Sequence, residues 1–176
     1  MTCRYVTNYD PGWGSIINKI SELPGKEIIL DRTVLTGLKY ERLFNMWDAA
    51  GYNQDSIKWT NYYATDYGYN VEKQFENIIG VTHIRSWISR VDPGYTAPWH
   101  YDIDYNEEEY LKLGKLRRFV CFIGEPAVGH ISIVENECFY NQANGNIYEW
   151  NDYRAWHAGA NVGLVPKYQY NFLAYS

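Results

Sequence analysis

Hydrophobic positions change their spacing part-way along the chain. In residues 15–23, Ile16, Ile17, Ile20 and Leu23 recur on one helical face, and Pro24-Gly25 ends the run. Residues 27–30 form a short apolar run that predicts a strand. Residues 36–50 predict a second helix, with Thr36 as its N-cap, Leu43, Phe44 and Trp47 near one side, and Gly51 as its stop. Residues 56–63 read as extended and residues 71–78 as another short helix. From about Val81 onward the pattern is one of short β segments. Residues 81–91, 117–123, 130–134, 147–150, 154–158 and 168–175 are rich in β-formers, with turn signals between them. Asp92-Pro93-Gly94 and Gly124-Glu125-Pro126 are two of those signals. Asn144-Gly145 predicts a hairpin turn. Residues 106–113, rich in Glu, predict a helical insertion.

Helices cluster in the first half and strands in the second. The expected fold is mainly β with flanking helices (α+β), a double-stranded β-helix or jelly roll. At 176 residues it is expected as a single domain. Residues 1–78 would supply mixed elements packed on the barrel, and residues 79–176 the barrel itself.

Composition adjusts this picture in three ways. Aromatic residues reach 18%, which suits a β-rich core or a pocket lining. The formal net charge of −5 argues against a nucleic-acid-binding surface, which needs a basic stripe. No stretch approaches the roughly 18 apolar residues of a membrane span. Three cysteines with no CxxC spacing, and an N-terminus without an apolar h-region, predict reduced thiols in a cytoplasmic protein.

The chemistry concentrates in Pro93-Gly94-Tyr95-Thr96-Ala97-Pro98-Trp99-His100-Tyr101-Asp102. In an extended chain residues i and i+2 share a face, so His100 and Asp102 present an imidazole and a carboxylate side by side. A further histidine would complete the two-His-one-carboxylate ligand set of non-haem Fe(II) oxygenases. His157 is placed to supply it. Asp104, on the same strand face, is the other carboxylate available. His83 and His130 read as structural. Ten residues after His157, Lys167 opens the final strand and shares a face with Gln169 and Asn171. That polar face either meets solvent or lines a polar pocket. Arg117 and Arg118 alternate faces, so only one points inward. Glu107-Glu108-Glu109 reads as a solvated helix face, and Asn161, ahead of Val-Gly, also suits a turn.

The Pro-Gly-x-x-x-Pro-x-His-x-Asp run, with His157-x-x-x-Asn161 and a basic residue ten beyond the histidine, resembles the aspartyl/asparaginyl β-hydroxylase-like dioxygenases. Arg118 and Pro126 match an Arg and a Pro eight residues apart in that family. Two positions depart from it. Lys167 stands where an Arg is usual, and Val120 where a His follows that Arg. The resemblance covers residues 81–176. It implies an Fe(II)- and 2-oxoglutarate-dependent oxygenase with His100, Asp102 and His157 on the metal. Lys167, with Arg118, would hold the distal carboxylate of 2-oxoglutarate. Trp99, Tyr101, Trp156 and Asn171 are expected in the pocket. The substrate would be a small molecule or a peptide. Two other readings remain open at this point: a cupin-like metal-binding protein without oxygenase activity, and a metal-free jelly-roll binding module.

Overall fold

The computed structural model describes residues 2–30, 35, 37–102 and 106–176. Thr36 and Asp104 lie outside the described residues. The strands form two sheets. The larger runs in the order β1 (Cys3–Asn8), β9 (Asn146–Trp150), β6 (Leu116–Ile123), β11 (Lys167–Tyr175), β4 (Thr82–Val91), β3 (Lys58–Tyr62) and β2 (Lys26–Ile29). The smaller runs β5 (Thr96–His100), β10 (His157–Asn161), β7 (His130–Val134) and β8 (Glu137–Tyr140). Every ladder between these strands is antiparallel. The protein is therefore a mainly β jelly roll, as the spacing of turn signals predicts.

Alternation explains the layers. Along β11, Tyr168, Tyr170 and Phe172 point to one side and Gln169 and Asn171 to the other. The aromatic side packs under helices α1 (Trp13–Ser21), α3 (Ala64–Tyr67) and α4 (Asn70–Ile79), in a cluster with Trp13, Phe75 and Phe119. Phe75 and Phe172 lie 4.5 Å apart between ring centres. The polar side faces the smaller sheet. A second apolar cluster, including Val120, Phe122, Val134, Phe139 and Trp150, closes the space between the two sheets.

Helix α1 starts two residues before the apolar repeat. Asp10 Oδ1 accepts from the Gly12 and Trp13 N–H groups at 2.8 and 2.7 Å, and Trp13 is fully buried. The side-chain turn at Asp10 thus opens the helix. Helix α2 (Leu38–Ala49) packs elsewhere. Leu43, Phe44 and Trp47 form their own cluster with Ile57, and Trp47 Nε1 donates to Trp99 O of β5 at 2.7 Å. The helices therefore cover both sheets rather than one, because the apolar side of α2 meets the outward aromatics of the smaller sheet.

Other expectations shift. The strand expected at 154–158 is displaced to His157–Asn161, because Asp152 builds a turn that accepts from Arg154 N at 2.8 Å. Asn144-Gly145 does form a turn, closed by Asn146 N donating to Ala143 O at 3.1 Å. It is not a hairpin: β8 before it pairs in the smaller sheet and β9 after it in the larger. Strands β1 and β8 and helix α3 carry too few buried residues for their pattern to stand out. No helix among the described residues is long and apolar enough to cross a membrane. Cys3 and Cys121 are buried, Cys138 is exposed, and none is in a disulfide.

Candidate metal centre

Strand pairing, not chain proximity, brings the predicted residues together. Strand β10 pairs antiparallel with β5 across one irregularity between His157 and Gly159, with His157 opposite His100. The two rings stand 4.3 Å apart. Asp102, just beyond the end of β5, turns to the same point, with Oδ1 3.9 Å from His157 Nε2. One ligand atom from each of His100, Asp102 and His157 lies within 4.8 Å of the others. Facial ligands about 2.1 Å from a first-row ion sit about 3 Å from one another. Side-chain rotations of about an ångström close that gap.

The backbone fixes the histidine tautomers. His100 Nδ1 lies 2.5 Å from Pro98 O, and His157 Nδ1 lies 3.0 Å from Ala155 O. A carbonyl only accepts, so each Nδ1 carries a hydrogen, and Nε2 is the nitrogen left to face an ion. This is the orientation that partners around a metal site impose on histidine ligands. Burial and the neighbouring His100 ring hold His157 neutral, at about 3. Burial alone would raise the Asp102 carboxyl. The Arg118 guanidinium at 2.9 Å, followed by His157 and His100, outweighs it and keeps the group ionised below the usual carboxylate range. An ionised carboxylate beside a neutral His157 imidazole suits a divalent ion.

A cavity of about 120 Å³ extends inward from these ligands, lined on opposite walls by Trp87 and Asn171 and by Ser132 and Gly159. One water needs about 10–15 Å³ of such volume, so a small organic acid fits. Lys167, 3% exposed, does not itself line this cavity: it backs the cavity's Ser132–Gly159 end and lines a neighbouring pocket that shares Phe122 and Ser132 with it. Its Nζ donates to Ile131 O and, at 2.6 Å, to Ser132 Oγ, which in turn donates to Gln169 Oε1 at 2.9 Å. Burial pulls the Lys167 ammonium down to about 7. No carboxylate among the described residues pairs with it.

Gly159 sets the shape of this end. It is two residues along β10 from His157, on the same face, and a Cβ there would lie 3.1 Å from Lys167 Nζ. Two strand residues span about 7 Å, so the metal ligands and the Gly159 wall in front of Lys167 are separated by about the length of a short dicarboxylate. His100, Asp102 and His157 converging on the cavity, a buried lysine behind its Ser132–Gly159 wall and a glycine leaving room in front of that lysine fit a divalent ion together with a small dicarboxylate.

The remaining predicted residues divide. Arg118 faces the cavity, whereas Arg117 faces away and donates to Glu149 Oε1 at 2.7 Å. Arg118 does not share an end with Lys167. It lies opposite Leu173 on β11, six residues beyond Lys167, or about 20 Å along the strand. The expected joint grip of Lys167 and Arg118 on one carboxylate is therefore corrected: Arg118 sits at the metal end. Asn171 lines the cavity. Trp99, Tyr101 and Trp156 do not. Trp99 and Trp156 stack on each other, and Tyr101 and Trp156 line a separate groove with Leu38, Leu43 and Met46 of α2. Alternation puts them outside, as neighbours of the inward His100, Asp102 and His157. Three other tryptophans line the cavity: Trp59, Trp87 and Trp150. Trp87 was legible as an alternate residue of the Arg85-x-Trp87-x-Ser89-x-Val91 face. Asn161 ends β10 and ties down the turn after it, its side chain donating to Val91 O and Val165 O and accepting from Gly163 N. His83 packs on Phe172 beneath α4, and His130 Nε2 donates to Val165 O at 3.0 Å.

No protein-family model matches the chain, and no curated protein matches it in sequence. Solved structures match it in shape. An oxidoreductase of the 2OG-Fe(II) oxygenase family from Burkholderia pseudomallei superposes with a TM-score of 0.52 at 14% identity, over 98% of this chain and 85% of that one. AviO1 from Streptomyces viridochromogenes Tue57 gives the same TM-score at 9% identity, over 99% of this chain and 90% of that one. At such identities the likeness is one of fold, and this chain shares the jelly-roll architecture of both.

Proposed function

We propose that this protein is an Fe(II)- and 2-oxoglutarate-dependent oxygenase, a hydroxylase of a protein side chain or a small metabolite. The observation that carries this is the convergence of His100, Asp102 and His157 at one end of a cavity whose Ser132–Gly159 wall is backed by the buried Lys167. The jelly-roll fold shared with a 2OG-Fe(II) oxygenase family member supports the same reading.

Fe(II) with 2-oxoglutarate would use O₂ as the oxidant, one oxygen atom entering succinate as CO₂ leaves and the other entering a substrate C–H bond. The chain's own residues bind and orient. His100, Asp102 and His157 hold the ion from one side and leave the other coordination positions open. Lys167 and Ser132 take the distal carboxylate of the cosubstrate by charge-assisted hydrogen bonds. Trp87 and Trp150 dry the space beside the metal, which strengthens every electrostatic contact inside it.

The test is succinate formation from 2-oxoglutarate by the whole chain with Fe(II), scanned against a metabolite and peptide library. Succinate should appear with wild type and fall to background in His157→Ala. Stoichiometric metal without succinate under any substrate would favour a metal-binding protein of another kind. Absence of metal binding would leave a jelly-roll binding module.

A further inference from the structure

Asp102 offers one oxygen to the histidine pair while its other oxygen is already held. Arg118 Nη2 forms an ion pair with Asp102 Oδ2 at 2.9 Å, and Oδ1 lies toward His157 Nε2. Arg118 is not free to drift from that position. Its guanidinium carbon stands 4.5 Å from the centre of the Trp87 ring and 5.0 Å from that of Trp150. The same Nη2 also donates to Asn171 Oδ1 at 3.2 Å. Among the described residues, Arg118 Nε and Nη1 are buried and have no hydrogen-bond partner. A buried cation with two donors unmet is costly to keep, and such a group calls for an explanation.

We infer that Arg118 is the positioning residue of the metal site: by occupying Asp102 Oδ2 it confines the carboxylate to one-oxygen binding through Oδ1, which keeps open a position that a chelating carboxylate would fill. This rests on the metal reading above. A carboxylate with both oxygens available can bind a cation through either one or two of them. Three protein ligand atoms leave three of six octahedral positions, and a fourth would leave two. A chelating cosubstrate takes two, so the choice decides whether a place remains for O₂. A guanidinium suits this task because its donors are fixed in a plane and it stays charged. Its aromatic clamp holds that plane in one orientation.

Arg118 also competes with the ion for the carboxylate. Removing it should therefore leave metal affinity intact or raise it, while reducing the number of open positions. A purely structural role would not move the two quantities in opposite directions. The experiment uses the whole chain loaded with Mn(II), with exchangeable waters counted by water-proton relaxation and affinity measured by calorimetry. Wild type should read about three waters, and Arg118→Met about two, a loss of about a third in relaxivity, with Mn(II) bound at least as tightly. Arg118→Lys, which keeps a cation against Oδ2, should restore the third. If Arg118→Met does not fold, Arg118→Gln carries the same expectation, being uncharged and too short to hold Oδ2 in place. Three waters in the uncharged variant would overturn the inference, and so would two in wild type. A wild-type chain that bound no Mn(II) would bring down the metal reading itself, a result distinct from the loss of one water.

Discussion

Lys167 makes its own physical demands on the protein. It is buried, and its partners are a carbonyl and a hydroxyl, with Cys138 the titratable neighbour that opposes its neutralisation. Burial brings it to about 7, against about 10.4 for a lysine in the unfolded chain. Between about pH 7 and about pH 10 the unfolded chain therefore holds a proton that the native chain does not. Stability must rise with pH across that window and be flat below it. The stability of wild type relative to Lys167→Met, from chemical denaturation, should climb over this range. A pH-independent difference would show that Lys167 does not titrate there. A carboxylate beside the amine favours its charged form. At about pH 8, 2-oxoglutarate binding to the Mn(II)-loaded protein should then take up a proton, seen as a buffer-dependent calorimetric enthalpy. Lys167→Met should weaken that binding by roughly 10- to 150-fold and leave Mn(II) affinity unchanged.

Strand β10 carries both ends of the proposed site on one face: His157 for the metal, and Gly159 for the space in front of Lys167. A methyl group at 159 would press on Lys167 Nζ at 3.1 Å. The far end of a lysine can yield, so the strand should survive. We expect Gly159→Ala to keep its thermal midpoint within a few degrees and bind Mn(II) normally, while losing 2-oxoglutarate affinity in calorimetry. Wild-type affinity in that variant would show that the cosubstrate does not lie under β10. The polar inner face of β11 and the i, i+2 pairing of His100 with Asp102 were legible because alternation in a strand is a local property. The frame of β10 was not, because Asp152 ends the preceding turn three residues later than β-propensity suggests. Alternation told that only one of Arg117 and Arg118 points inward, and the spacing to Pro126 favoured Arg118, but neither told which end of the cavity it reaches. That depends on a register with β11 that only pairing reveals. The outward Trp99 and Trp156 were misplaced for a related reason. Neighbours of a ligand in a strand lie on the opposite face from it.

In the whole molecule, stability and chemistry occupy different faces of the larger sheet. Phe75, Phe119, Tyr170 and Phe172 pack beneath the helices, while Asn171 and Arg118 line the cavity on the other side. Phe75→Ala should cost about 3–5 kcal/mol of stability. Below its lowered transition it should bind Mn(II) as wild type does. Thermal denaturation and calorimetry at 25 °C together check this, and a large loss of affinity there would mean that the two faces are coupled.

The order of strands in the larger sheet bears on how the chain must be built. The central strand, β11, follows every other strand in the chain, and it separates β4 from β6, which flank it. Strand β1 likewise waits for β9. Most pairings in this sheet join distant segments, which makes assembly slow and leaves edges exposed while it proceeds. On a ribosome His100, Asp102 and His157 all emerge before Lys167, yet the sheet that backs them has a gap at its middle until β11 is inserted. A nascent chain of this fold thus passes through synthesis without a closed cavity, and so without a place where an ion and an oxidisable cosubstrate could meet beside an unfinished protein.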